Sequence, residues 1–587
     1  MRSRQPAWYG AAVRSRTLTS ALVAALGACG PSAPIPHRSV NSPAPTAARD
    51  RSTTERPAYG AVVTVVVDQL AAWVLYERIL ELPADGGFAR LRREGSYVPE
   101  LRYDFAITET APGHSALYTG ASPRESGIIG NEATDASGNT RLIVLDEQTS
   151  LVGRGGALPR PGISLGDLPV ETLADALRKQ RPNAEIVSIS YKDRGSVFGG
   201  GRKPNATVWF DSETKGFVTS SAFATELPSF ANLEPPALPA TWNPLDPAWL
   251  TAHVKTVDAQ DGEADVAGLG TTFPHVAKNL DARRPTPLFD EDLFALALAV
   301  VAAKEQKSPL LLALSLSGND YVGHAFGPDS WEAWDSLRRL DALLARFLGA
   351  LDRTFGSNGY ALLLSGDHGI VPLPEVTLAG RVRPDCAKHA DRWERPCGEG
   401  GRVSVDAMLE RLESSAQRAL GNGHWILGYF DPYLYLSADG RALSPVRRAA
   451  LVDAITKVLL AKPGVARVID VGALPATCPP SDGIEALVCR SVAPGRGGDL
   501  YLVSKPGYFF LDKPRPHGTT HGTPYLYDRA VPLLVRAPGR VAANRIVSEP
   551  LDFRAFSRTA ASLLDIEAPS AARPGRDLGT SGYARSR

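Results

Sequence analysis

The sequence predicts an α/β protein with a mostly parallel central sheet, helices on both of its faces, and an inserted α+β subdomain. Three observations carry this. Ala61–Val67 reads AVVTVVV, a continuous apolar and β-branched run typical of a strand buried on both faces. Similar runs at 185–191, 309–315, 360–364 and Ala530–Arg536 alternate with helical patterns. Trp331–Phe355 places Leu337, Leu340, Leu344 and Leu348 on one stripe, as a helix lying on a sheet requires.

In chain order, residues 1–28 read as an export signal. Arg2, Arg4, Arg14 and Arg16 precede the apolar run 18–26, and small residues follow. Leu26-Gly27-Ala28-Cys29 resembles a bacterial lipobox, which predicts a lipid anchor on Cys29 and a periplasmic or cell-surface location. Residues 29–58, rich in Pro, Ala, Ser and Arg, read as a flexible tether. Residues 59–587 then read as one large domain with two insertions. After the first strand come a helix at 165–179 and the strand 185–191. The stretch 200–285, rich in Pro and Gly, reads as a loose insertion. An apolar helix at 291–305 leads into the strand 309–315, followed by the long helix and the strand 360–364. Helices at 405–420 and 444–461, with strands within 425–436 and at 465–471, form the α+β insertion near 375–500. The strand Ala530–Arg536 and a helix at 553–564 close the chain.

Composition narrows the function. Of 587 residues, 44% are hydrophobic and 22% charged, which excludes a largely disordered chain. Sixty-four Lys and Arg balance 63 Asp and Glu, a net charge of +1, so no general field favours nucleic acid. Beyond the first thirty positions there is no apolar run of the roughly 18–20 residues that span a bilayer. Besides Cys29 there are four cysteines: Cys386, Cys397, Cys478 and Cys489. They fall into two pairs with no C-x2–4-C spacing, so they predict two local disulfides in an oxidising compartment and not a zinc ribbon.

The chemistry gathers just past the strand ends, where open α/β sheets bind ligands. Asp68 follows the first strand. Asp320 and His324 follow the strand 309–315, and Asp367 and His368 follow 360–364. His521 stands in the glycine-bounded loop His517-Gly-Thr-Thr-His521-Gly. Taken singly, each reads as a cap, a surface pair or a loop residue. Together, three Asp and three His form two half-sites of oxygen and nitrogen ligands that suit zinc. Thr110, in Thr110-Ala-Pro-Gly-His114, stands at the expected N-cap of a helix with Pro112 in its first turn. A hydroxyl there faces aligned N–H groups, a good place for a phosphoryl group.

Val-Asp68-Gln, Thr110-Ala-Pro-Gly-His, Lys192-Asp-Arg194, Asp320-x-x-x-His324, Asp367-His368-Gly and Thr-His521-Gly occur in that order. The ordered set resembles the alkaline phosphatase superfamily, in its branch of threonine-nucleophile bacterial alkaline phosphatases. The resemblance extends over about residues 60–570 and implies an alkaline-phosphatase-like fold. It implies two zinc ions, one held by Asp320, His324 and His521, the other by Asp68, Asp367 and His368 with Thr110 bridging toward it. It implies Thr110 as the nucleophile that becomes phosphothreonine, and Asn131, Lys192 and Arg194 as contacts to the phosphoryl oxygens. The substrates implied are small phosphate monoesters. His517 is read as a bystander. A phosphodiesterase or nucleotide pyrophosphatase of the same superfamily is the rival enzyme, and a non-catalytic phosphate-binding surface lipoprotein the rival from outside enzymology. A sulfatase would need Cys or Ser in a C/S-x-P-x-R context, where this chain has Thr110-Ala-Pro-Gly-His.

Overall fold

The computed structural model describes residues 58–304, 308–379, 392–511 and 513–579. Its centre is a twelve-stranded mixed sheet. Five strands position the site: β1 (Ala61–Val67), β2 (Glu185–Ser190), β3 (Leu310–Leu316), β4 (Tyr360–Ser365) and β5 (Ala530–Arg536). They lie side by side in the order β5, β4, β1, β3, β2. The first four are mutually parallel, and β5 runs antiparallel to β4.

The β-branched run of β1 is fully buried, and its side chains alternate between two cores. Val62 and Val66 face one of them, with helix α1 (Thr110–Thr119) and helix α2 (Asp193–Gly200). Val63, Val65 and Val67 face the other, under helix α3 (Leu288–Ala302). Helix α4 (Gly318–Phe326) follows β3, and helix α5 (Trp331–Phe355) also covers that second face. Fully burying one such side chain contributes about 1.5–3 kcal/mol. The sequence reading holds for the five strands and for α3 and α5, while α2 and α4 are short helices that it does not include.

Two local expectations are corrected. The helix expected over 165–179 occupies only Leu173–Gln180, because Thr172 and Asp175 form a capping box that sets its start. Part of 200–285 is not loose. Ala206–Asp211 joins the central sheet beside β2, and Gly216–Ser220 pairs with it in turn.

The strands of the α+β segment form a four-stranded sheet of their own, with Ile426–Phe430, Tyr433–Leu436, Leu500–Ser504 and Val465–Asp470 in that order. Helices Leu409–Leu420 and Pro445–Leu460 pack on it around Trp425, Leu434 and Leu451. Cys478 and Cys489 are bonded, as the spacing predicts. The other expected disulfide involves Cys386, and the lipid anchor Cys29; both lie outside the described residues. Among the described residues, no helix is long and apolar enough to cross a membrane.

Candidate metal centre

Strand register assembles the site. Val66 pairs with Ser315 and Ser365, and Ser315 pairs with Ser190. Asp68, Asp367 and Lys192 each stand two residues past these level positions, so the parallel strands deliver them to one edge. Asp320 follows on the first turn of α4. His521 precedes its strand instead of following it. Because β5 is antiparallel, its starting end lies at that same edge, and the loop before it reaches the cluster.

Asp68, Lys192, Asp320 and Asp367 are buried, and His521 is partly so. Lys192 Nζ lies at the middle, 2.6 Å from Asp68 Oδ2, 2.6 Å from Asp320 Oδ2 and 3.4 Å from Thr110 Oγ1. Burial works against its charge, but Asp320 and Asp68 outweigh that and hold the ammonium firmly protonated. Asp320 is likewise held well below the usual carboxylate range, since Lys192 and the histidines around it overcome the penalty of burial.

The three histidines share one device. His324 Nδ1 lies 2.9 Å from the Thr519 carbonyl, His368 Nδ1 3.0 Å from that of Gly369, and His521 Nδ1 2.7 Å from that of Thr108. A carbonyl only accepts, so each Nδ1 carries the hydrogen and each Nε2 is turned toward the carboxylates. His324 Nε2 is 3.2 Å from Asp320 Oδ1, His521 Nε2 is 3.7 Å from the same oxygen, and His368 Nε2 is 3.3 Å from Asp68 Oδ1. This is the orientation of metal-binding imidazoles.

The donor set fits a divalent metal. Asp68, Asp367 and His368 can offer one atom each to a common point, and so can Asp320, His368 and His521. His368 thus lies between the two groups, while His324 approaches from the Asp320 side. Asp68 Oδ1, Asp367 Oδ2 and His368 Nε2 are buried and make no well-aligned hydrogen bond; they face only the imidazole and carboxylate groups beside them, an arrangement that a cation would stabilise. Burial lowers the basicity of His368, yet Asp367 and Asp68 raise it to about 10. A proton and a metal therefore compete for that nitrogen, and a metal supplies the positive charge that the carboxylates demand.

Thr110 is corrected by one position. The N-cap is Glu109, and Thr110 is the first helical residue of α1. Its hydroxyl still stands at the helix start, beside Lys192. Asn131 joins through the backbone: its Oδ1 accepts from Ala111 N–H at 2.9 Å, which leaves its Nδ2 group as a donor. Its own N–H donates to Glu109 Oε2 at 2.8 Å, and burial pushes the Glu109 carboxyl up to about 7. Arg194 Nη1 donates to Asp193 Oδ1 at 3.2 Å. Arg194 and Asn131 border a cavity of about 200 Å³ whose far wall, Phe430, Tyr433 and Tyr435, comes from the inserted subdomain. His517 stands apart, with Nδ1 2.9 Å from the Glu263 carbonyl, and holds a loop.

Sequence reasoning gave no role to His114 or Gln69. His114 Nδ1 lies 2.9 Å from the Thr110 carbonyl and 3.0 Å from Asp367 Oδ2, and its Nε2 lies 2.8 Å from Ser315 Oγ. Its position four residues after Thr110, on the same helix face, is the signal that could have found it. Gly113 is required between them, because a Cβ there would meet the Asp367 carbonyl oxygen at 2.2 Å.

Comparison with known proteins adds an independent line. A family model described as type I phosphodiesterase / nucleotide pyrophosphatase matches residues 62–524. The chain is 29% identical to alkaline phosphatase PhoV of Synechococcus elongatus, over 87% of this chain and 90% of the relative. It is 30% identical to alkaline phosphatase PhoK of Sphingomonas sp, over 81% of this chain and 83% of the relative. The crystal structure of wild type alkaline phosphatase PafA superposes with a TM-score of 0.75 at 25% identity, covering 89% of this chain and 99% of that one.

Proposed function

Since the chain belongs to the type I phosphodiesterase / nucleotide pyrophosphatase family, we propose that it is a zinc-dependent alkaline phosphatase acting on small phosphate monoesters through a phosphothreonine on Thr110. The observation that carries this reading is the Thr110 hydroxyl at a helix start, 3.4 Å from Lys192 Nζ and beside two groups of metal-ligating side chains. Its relatives named alkaline phosphatases support it.

Asp320, His324 and His521 would hold one zinc. Asp68, Asp367 and His368 would hold the other, with Thr110 bridging toward it. When bound, the zincs supply positive charge that lowers the pKa of a neighbouring hydroxyl and stabilises a leaving oxygen. Thr110 Oγ1 attacks phosphorus in line with the leaving alcohol, and the ester bond breaks as the Thr–phosphate bond forms. Ala111 N–H is taken by Asn131 Oδ1, Pro112 has none and Gly113 N–H goes to the Glu109 carbonyl, so side chains supply the donors to the phosphoryl oxygens. Asn131 Nδ2, Lys192 Nζ and the Arg194 guanidinium neutralise their charge. Water then releases phosphate and restores Thr110.

A monoester dianion presents three non-bridging oxygens, and a lysine point charge with an arginine fork suits that terminal group. A diester sets a second ester group against the same donors. Chelation is expected to abolish hydrolysis and zinc to restore it, with kcat/KM far higher for an aryl phosphate monoester than for its methyl diester. The opposite ranking would make the protein a diesterase. Bound phosphate without turnover of either ester would make it a binding lipoprotein.

We further propose export to the periplasm or cell surface, with a lipid on Cys29 as the membrane contact. Cys29→Ser is expected to release the protein or leave its precursor uncleaved. Soluble wild-type protein with a different mature N-terminus would overturn this.

A further inference from the structure

Gln69 lies between the two carboxylates that head the half-sites. Its backbone N–H donates to Asp367 Oδ1 at 3.0 Å. Its side-chain Nε2 donates to Asp320 Oδ1 at 2.7 Å. A carboxylate accepts only, so the amide nitrogen must be the end that faces Asp320. One residue thus holds a ligand carboxylate of each half-site, by its backbone on one side and its side chain on the other. The Gln69 side chain is 2% exposed.

Two further observations show that the fold accommodates this arrangement at a cost. Gln69 adopts φ of +66°, a left-handed conformation unfavourable for a side-chain-bearing residue. Glycine would occupy it without penalty. And the amide needs room on α4: a Cβ at Gly323 would lie 1.9 Å from Gln69 Oε1. The strained backbone and the opening opposite it both serve a side chain that donates its hydrogen bond to Asp320.

We infer that Gln69 is a positioning residue that couples the two half-sites of the metal centre, its side chain fixing Asp320 for the zinc held with His324 and His521. This rests on the zinc assignment made under Proposed function. The amide holds Oδ1, the oxygen that His324 Nε2 and His521 Nε2 also face at 3.2 and 3.7 Å, while Oδ2 meets Lys192. Without the amide, Oδ1 loses the donor that fixes it toward the histidines, and only the Lys192 contact at Oδ2 still orients the carboxylate. The Asp68, Asp367 and His368 half-site keeps its tether, because that tether is a backbone N–H.

Gln69→Gly separates these effects. It removes the amide, keeps the N–H and relieves the left-handed strain. Gly323→Ala tests the same contact from the opposite side. Zinc affinities would be measured on the full mature protein by chelator competition, with melting of the metal-free and zinc-loaded forms in parallel. Wild type is expected to hold two zincs. In Gln69→Gly one zinc should keep wild-type affinity, equal to that of the single zinc left in Asp320→Ala, and the other should weaken about 10–100-fold, the usual effect of losing an outer-shell partner. The metal-free melting temperature should not fall, and excess zinc should restore hydrolysis. Gly323→Ala should weaken the same zinc.

Wild-type affinity at both sites in both variants would overturn the inference and leave the zinc reading intact. So would equal weakening of both zincs, or a fall in metal-free stability that accounts for the loss. Fewer than two zincs in wild type would overturn the zinc reading and the inference with it.

Discussion

At the carboxyl edge of the central sheet, Asp68, Lys192, Asp320, Asp367 and His368 are buried together. In the inserted subdomain the core is Val405, Leu412, Trp425, Leu434, Leu451 and Leu500, and Arg402 is the one buried charged side chain among residues 401–511. The first region concentrates charge where water is excluded, so each group is held by another group's charge and not by apolar packing. The second is an ordinary apolar core. It borders the site through Phe430, Asp431, Tyr433 and Tyr435, and Ser491 and Arg402 hold the backbone before Thr110 and at Gly518. The difference teaches that stability and chemistry are separable here: changes at the sheet edge should act on turnover, and changes in the subdomain on stability.

The largest expected effect is at Thr110. Thr110→Ala should lower kcat by at least about 10³-fold, the scale of a lost nucleophile, while zinc content and melting temperature stay at wild-type levels. Thr110→Ser should keep partial activity. Steady-state kinetics with metal analysis would check both, and full activity in the zinc-loaded Ala variant would end the assignment.

Next comes the charge that faces the phosphoryl group. Replacing Lys192 and Arg194 together by Ala should cost about 10²–10³-fold in kcat/KM on an aryl monoester. The loss on the matching diester should be much smaller. Equal losses would mean that the pair maintains the fold, since Lys192 also bridges Asp68 and Asp320.

The subdomain should behave the other way. Opening the loop with Cys478→Ser and Cys489→Ser should cost about 2–3 kcal/mol of stability, the chain-entropy value for so short a loop. The value of kcat/KM should stay within about two-fold. Thermal unfolding and limited proteolysis, run beside the kinetics, would show whether the regions are as independent as their cores suggest.

The smallest effect concerns pH. Asp341 on α5 accepts from Phe88 N–H at 2.7 Å, and burial pushes its carboxyl up to about 6. The folded protein binds this proton more tightly than the unfolded chain does. Its contribution is therefore present below pH 4, declines between pH 4 and 6, and is absent above. Asp341→Asn should remove that slope and raise relative stability above pH 6 by roughly 1–2 kcal/mol. Denaturant unfolding at pH 4 and pH 8 would measure it, and an unchanged slope would place the titration elsewhere.

Much of the fold could be read locally. The helix Trp331–Phe355 and the strands Ala61–Val67 and Ala530–Arg536 have the predicted bounds, because apolar periodicity and β-branched runs are properties of neighbouring residues. The start of the helix at Leu173 was misread because the capping pair Thr172 and Asp175 outweighs the apolar residues before it. Ala206–Asp211 was missed because its pairing with β2 is a contact between elements that the Pro- and Gly-rich composition around it conceals.

By itself, the sequence determined which residues follow the buried strands, and so which carboxylates, imidazoles and hydroxyl could meet at a sheet edge. Only the tertiary structure decided that they do meet. Parallel register brings Asp68, Lys192 and Asp367 level, and the reversed direction of β5 brings His521 to them from the opposite side in sequence. Backbone carbonyls of remote residues turn His324 and His521 inward, while that of the neighbouring Gly369 turns His368. Gln69 joins Asp320 across 251 positions of chain. These are distances between groups remote in sequence. Periodicity and propensity extend over a few residues, and only packing of the whole sheet sets what lies beyond them.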